Sequence, residues 1–241
     1  LVKEAVNTEA FENEITTSID RAIAYSEQIN SGEKSATISD CTNITVRPII
    51  GSFPKTVTIN FGDGCEEVKG FIRSGSMSIT ISDTLRTTGT SYDVTFNNFA
   101  VEEYSITGTV SVENTSSSEV LSFSQKMDLT MTDVDGIVIE KSKTVERVWI
   151  EGSETSDITD DVFSISGYAD ISSTSGRAYS YSITEPLIVS YSCDIVSEGV
   201  MEITTSASDE PVIIDFGNDG CDWKIYVSQG NIEKEEINLN N

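Results

Sequence analysis

The chain changes its hydrophobic rhythm once. Over residues 8–30, Phe11, Ile15, Ile19, Ala22, Ile23 and Ile29 recur at near-helical spacing. Asn7 or Thr8 is placed to cap the start, Glu9 and Glu12 suit the positive end of the dipole, and Ser31-Gly32 supplies a stop. The pattern predicts one helix laying an apolar stripe on the end or face of a sheet; the functional alternative is a helix that binds a partner. From about residue 36 the period becomes two. Val57, Ile59 and Phe61, then Met77, Ile79 and Ile81, then Tyr92, Val94 and Phe96 alternate with polar neighbours. Leu121, Phe123, Met127, Leu129 and Met131 share one face of a longer run, and Phe163, Ile165, Ala169, Ile171, Tyr179, Tyr181 and Ile183 continue the rhythm. This predicts antiparallel strands with one buried and one wet face.

Turn residues fall between these runs. Asp135-Gly136 is a strong hairpin signal, Ser175-Gly176 and Gly230-Asn231 are weaker ones, and Thr88-Gly89 marks another turn. Near Asn97-Asn98 the alternation slips phase, because Phe99 and Val101 are out of step with Phe96, and a bulge there would restore register. Runs such as 119–133 and 177–192 exceed the usual strand of about 5–6 residues. Long consecutive strands predict a twisted meander, which can close on itself, fold into a sandwich or wrap around a helix.

One element occurs twice. Thr58-Ile59-Asn60-Phe61-Gly62-Asp63-Gly64-Cys65 is echoed by Ile213-Ile214-Asp215-Phe216-Gly217-Asn218-Asp219-Gly220-Cys221. Each copy follows a proline, Pro54 or Pro211, and an earlier cysteine. A strand ending at the Phe, a tight Asp-Gly turn and a cysteine that clasps the turn to the preceding strand account for both copies. Four cysteines allow three pairings, and the echo selects Cys41–Cys65 and Cys193–Cys221. Each bridge would close a loop of roughly 25 residues and contribute about 3 kcal/mol. Two such bridges imply an oxidising compartment. The start Leu1-Val2-Lys3-Glu4 has no apolar h-region, so a leader removed from the mature chain is expected. The resulting division is a helical segment over 1–35 and a single all-β domain over 36–241. Similar end units at about 36–82 and 187–239 flank a central meander at about 90–190.

Charge narrows the function classes. The 241 residues carry 15 Lys+Arg, 40 Asp+Glu and no His, a formal net charge of −25. Such a surface repels phosphate backbones, which argues against nucleic acid. No stretch approaches the roughly 20 apolar residues of a membrane span. The lack of histidine removes Ser-His-Asp and Cys-His catalysis and His-ligated zinc.

The remaining candidates are weak. Asp133-Val134-Asp135-Gly136, Asp157 with Asp160-Asp161, and Asp63 or Asp219 form acidic turns, none with EF-hand spacing. Glu151, Glu154, Asp160 and Asp161 could supply a glycosidase pair, but nothing in the sequence pairs them. Ser31-Gly32-Glu33-Lys34 and Ser52-Phe53-Pro54-Lys55 match S-x-x-K without its companion elements, and no G-x-S-x-G elbow exists. Among the aromatics Trp149, Trp223, Tyr168, Tyr179, Tyr181 and Tyr226, most fit strand patterning and packing; Trp149 and Trp223 are the candidates for facing a ligand. No catalytic residue, cofactor or metal is expected.

Several segments after residue 40 together resemble a family. They are the Phe61-Gly62-Asp63-Gly64-Cys65 turn before Lys69-Gly70-Phe71-Ile72, the run Thr95–Val101 leading to Ile106-Thr107-Gly108-Thr109-Val110, and the box Arg147-Val148-Trp149-Ile150-Glu151-Gly152. The stretch Asp160–Gly167 and Pro186-Leu187-Ile188-Val189 running into Cys193 complete the set. The pattern resembles the secreted lipoproteins of Bacteroidetes-type bacteria. The resemblance implies a lipid anchor through a cysteine preceding these residues, and it implies no enzymatic activity. The expectation is therefore an all-β protein, a long-stranded curved meander forming an open barrel or a sandwich, with one N-terminal helix and two disulfide-stapled units. Its expected role is non-enzymatic, in the cell envelope or at the surface, anchored to the outer membrane or secreted, with an unknown protein or glycan partner. The alternatives are a glycan-binding or glycan-hydrolysing module and a fimbrial-type adhesin subunit, which would need a groove for a donor strand.

Overall fold

The computed structural model describes residues 1–31, 41–49, 51–66, 71–155, 157–193, 195–218 and 220–239. Gly32, Glu33-Lys34, Lys69-Gly70 and Asp219, which entered the turn and motif readings, lie outside the described residues.

Among the described residues, alternation of period two becomes thirteen strands, each paired antiparallel with the next. They are β1 (Asn43–Arg47), β2 (Lys55–Glu66), β3 (Ile72–Ile81), β4 (Ser91–Val101), β5 (Tyr104–Asn114), β6 (Ser122–Thr132) and β7 (Val138–Glu151). They continue as β8 (Val162–Ser173), β9 (Ala178–Ser190), β10 (Glu198–Thr205), β11 (Ser208–Asp215), β12 (Lys224–Gln229) and β13 (Ile232–Asn238). One sheet contains all of them in sequence order, and β1 does not pair with β13. The meander therefore stays an open sheet and does not split into a two-sheet sandwich. Its inner face carries the alternating apolar residues, from Val57, Ile59 and Phe61 through Met127, Leu129 and Met131 to Met201, Ile203 and Ile214, all buried.

Helix α1 spans Val2–Ser31 and begins six residues before the 8–30 periodicity predicts. Thr8 is not a cap: its hydroxyl donates to the Ala5 carbonyl at 3.0 Å, within the helix. Burial of Ala5 and Val6 extends the helix where capping alone would have started it later. The expectation of one buried stripe is also too narrow. From Phe11 to Ile19 every residue except Asn13 is buried, including Glu12, Glu14, Thr16, Thr17 and Ser18. The sheet curls around the helix, so both its apolar and its polar faces meet strands. β3, β4, β6, β7 and β9 all send side chains to it. On another face Ala10, Asn13 and Thr17 share a crevice with Phe71, Val189 and Ile195.

Local signals behave as their chemistry dictates. At the β6–β7 hairpin Gly136 N–H donates to the Asp133 carbonyl at 3.1 Å, and the Asp133 carboxylate accepts from Asp135 and Ile137 N–H. The phase slip at Asn97-Asn98 is a bulge: Asn98 has φ 48° and the β4–β5 register shifts between Thr95 and Ala100.

Both disulfides form, each with Cα atoms 5.5 Å apart. The two echoed units share one local device. The side chain of Asn60 or Asp215 accepts from the N–H of Gly62 or Gly217, at 2.8 and 2.7 Å. Both glycines have positive φ, 63° and 76°, which a Cβ would disfavour, and both phenylalanines are buried. Beyond that the copies diverge, and the predicted tight Asp63-Gly64 turn is not there. β2 runs through it as a bulged strand to Glu66, because β3 is long enough to pair Arg73 with Cys65. In the second copy β11 ends at Asp215 and β12 starts only at Lys224. The second bridge accordingly joins two connecting segments, the one after β9 and the one before β12, and clasps no strand.

Candidate functional site

Strand β7 carries an unusual set of inward positions. In step with Ile139, Val145 and Trp149 are Lys141, Lys143 and Arg147, and all three cations are buried. Helix α1 answers with carboxylates. Lys141 Nζ lies 2.6 Å from Glu9 Oε1 and 3.0 Å from Glu12 Oε1, and Lys143 Nζ lies 2.7 Å from Glu9 Oε2 and 2.9 Å from Glu12 Oε2. The Tyr181 hydroxyl also donates to Glu9. Burial alone would raise the Glu9 pKa, but the two lysines hold its carboxyl far below the usual carboxylate range. The Lys143 ammonium is driven up by Glu12 and Glu9 against burial, and the Tyr181 hydroxyl is driven up by burial and by Glu9. A fourth buried cation, Arg73 of β3, pairs with Glu14 at 2.6 Å and donates to Ser18. These groups have essentially no solvent access, so the lattice fixes the helix in register and offers nothing to a ligand.

Further along the helix the arrangement opens. Arg147 donates to Asp20 Oδ2 at 2.7 Å and to the Tyr191 hydroxyl at 2.8 Å, and Tyr191 donates to the same carboxylate oxygen. The Tyr92 hydroxyl completes the set at 3.5 Å. Beside this cluster is a cavity of about 280 Å3 between the C-terminal half of α1, the β3–β4 loop and the connection from β7 to β8. Ala24, Leu85, Phe123, Trp149, Ile158 and Phe163 supply its apolar walls. Asp20, Glu27, Asp161, Arg86 and Arg147 supply its charge.

Asp161 is the unusual wall residue. It follows the 3-10 turn Ile158–Asp160, and its backbone is held twice, donating to the Ile158 carbonyl and accepting from Tyr191 N–H. Its side chain packs on Gly152, where a Cβ would stand 2.5 Å from Oδ1; only glycine fits there. Burial first, then repulsion from Asp20 and Asp160, pushes the Asp161 carboxyl up to about 7. The Trp149 indole N–H faces this carboxyl and favours its charged form, as a smaller effect, without reaching hydrogen-bond geometry.

The structure sorts the candidates named from sequence. Trp149 lines the cavity, stacked on Phe163 at 5.5 Å with the Arg86 guanidinium over its ring at 5.0 Å. Trp223 is elsewhere, in the connection before β12, half-buried and with φ 59°. Tyr179 and Tyr181 point into the core, Tyr226 lies under Lys234, and Tyr168 is exposed on the outer face. Of the four carboxylates considered as a pair, only Asp161 reaches the cavity. Asp160 accepts from the Thr155 hydroxyl, and Glu151 and Glu154 are exposed. Asp133 and Asp157 each accept hydrogen bonds from their own turns, and no cluster of three or more metal-ligating side chains exists among the described residues. Among those residues no helix is long and apolar enough to cross a membrane.

Sequence reasoning missed the inward cations and their acidic partners on the helix. The signal was present: Lys141, Lys143 and Arg147 stand in phase with apolar inward positions, where a solvated residue would not be placed. Comparison with known proteins adds no relative to this picture, since no protein family, no curated protein and no solved structure gives a match.

Proposed function

We propose that this is a non-enzymatic, extracytoplasmic binding protein, of the lipoprotein type its sequence resembles, and that its ligand is a small amphipathic molecule held in the cavity between α1 and the sheet. One observation carries the reading. Beyond the stretch Phe11–Ile19, which the sheet encloses, the wall of Ala24, Leu85, Phe123, Trp149 and Phe163 leaves a mainly apolar space of about 280 Å3. Ligand sites are apolar concavities with a few placed polar groups, of about 300–1,000 Å3. This one is at the small end and has that make-up. Two disulfides support an oxidising compartment. The site presents no bare aromatic platform, since Trp149 is covered on Phe163 and under Arg86.

The test is binding of the neutral, environment-sensitive dye N-phenyl-1-naphthylamine. One dye per chain is expected in the wild type. Binding should be lost in Ala24→Trp, which fills the cavity, with near-UV circular dichroism reporting the fold. Failure of the wild type to bind, or unchanged binding in a folded Ala24→Trp, would overturn the reading.

A further inference from the structure

The charges around the cavity are not symmetrical. Three carboxylates, Asp20, Glu27 and Asp161, face two cations, Arg86 and Arg147. Arg147 is committed to Asp20 and Tyr191. Glu27 accepts from Leu85 N–H at 2.8 Å, which orients it without neutralising it. That leaves Arg86, whose charge acts on Asp161. Arg86 is not a wall of the core. It is an exposed residue of the β3–β4 loop whose guanidinium reaches back over Trp149 and donates to the Ser153 carbonyl.

Resting on the cavity as a ligand site, we propose that the ligand is a cation on an apolar body, an alkyl or aryl amine or quaternary ammonium, and that Arg86 occupies the cation's place until the ligand displaces it. The guanidinium already covers the π face of Trp149 that such a head group needs, and its charge acts on the Asp161 carboxyl as the smallest of the influences there. A cation over tryptophan gains about 0.5–2 kcal/mol, more as water is excluded. The ligand's apolar body would add contacts with Ala24, Leu85, Phe123 and Phe163 that an arginine tethered on the loop does not make. An overall charge of −25 concentrates cations at the surface and repels anions of the same size.

The groups that act on Asp161 are Asp20 from α1, Asp160 from its own turn, Arg86 from the β3–β4 loop and the Trp149 indole from β7. With its carboxyl raised to about 7, half of the sites are protonated near neutrality. A bound cation favours the ionised form, so binding expels a proton and affinity rises between pH 6 and 8.

The experiment uses Trp223→Phe, in which Trp149 is the sole tryptophan, titrated with hexyltrimethylammonium, hexanol and hexanoate while its fluorescence is followed. The ammonium should bind at least tenfold tighter than the alcohol, and the carboxylate weakest. Arg86→Ala should strengthen ammonium binding by threefold or more, and Asp161→Asn should erase the preference for ammonium over alcohol. Tightest binding by hexanoate, weakened by Arg86→Ala, would make Arg86 a reader of anions and overturn the proposal while leaving the cavity a ligand site. If none of the three binds but the neutral dye does, the cation proposal falls alone; if the dye fails too, the reading beneath it falls as well.

Discussion

At Glu9 and Glu12 the helix meets Lys141 and Lys143 through four contacts of 2.6–3.0 Å, with almost no exposure. At Asp20 and Ala24 the same helix faces a cavity of about 280 Å3. Both regions bury charge against the same strand, β7, yet they do so to different ends. In the first, two carboxylates and two ammonium groups balance, and every lone pair that burial exposes to loss has a cation within reach. In the second, the carboxylates outnumber the cations and one of them, Asp161, holds its proton near neutrality. A balanced buried lattice fixes register. An unbalanced one beside an apolar space leaves a charge for something else to meet.

Removing one partner from the balanced lattice gives the largest expected effect. Glu9→Gln leaves two buried ammonium groups sharing Glu12, and should lower stability by about 3–5 kcal/mol, read as the midpoint of denaturant unfolding. A loss under about 1 kcal/mol would mean that the lattice is solvated and that the contrast between the two regions is not one of sealing.

The pH dependence sharpens the same contrast, because the two carboxyls shift in opposite directions. Glu9 is depressed, so its contribution is present above the ordinary carboxylate range and is lost as the pH falls below it. Asp161 is raised to about 7, so its contribution is fully present below about pH 4 and is lost as the pH rises through 7. Asp161→Asn should therefore flatten the fall in stability between pH 4 and 7 and leave the acid limb alone, whereas Glu9→Gln should lower the whole profile and change its shape only in the acid limb. Unfolding midpoints measured across pH 3–8 for both variants check this; identical profiles would remove the distinction.

The smallest effect is expected at the cavity wall. Ala24→Leu adds three carbons to empty space at a helical position and should change stability by no more than about 1 kcal/mol, in either direction, while weakening dye binding. A loss of several kcal/mol would show that the space is already filled by packing.

Much of this architecture was legible from rhythm. Alternation at Val57, Met77, Tyr92, Met127 and Phe163 located buried faces because a strand's period is two, and the echo around Cys65 and Cys221 selected the two bridges that form. What the rhythm did not give was enclosure. Glu9 and Glu12 read as dipole partners of a helix terminus because nothing local in the sequence says that Lys141 and Lys143, more than a hundred residues away, point at them. The Asp63-Gly64 pair read as a turn because its residues favour one, but strand pairing with β3 overrode that preference. The site was half visible. Trp149 was singled out as an aromatic that could face a ligand, and Asp161 as one of several carboxylates, but their meeting with Arg86 depends on the curl of the sheet and on the close approach at Gly152. Trp223, singled out on the same grounds, stands apart from the cavity, in the connection before β12.

Hydrogen exchange with and without hexyltrimethylammonium tests the central contrast most directly. Residues 8–19 should exchange only by global opening in both states, while added ligand should slow exchange selectively in 20–28, 83–90 and 153–155 with 157–161. Equal protection across the whole helix, or ligand-induced slowing confined to segments away from the cavity, would contradict the division of this helix into a sealed half and a binding half.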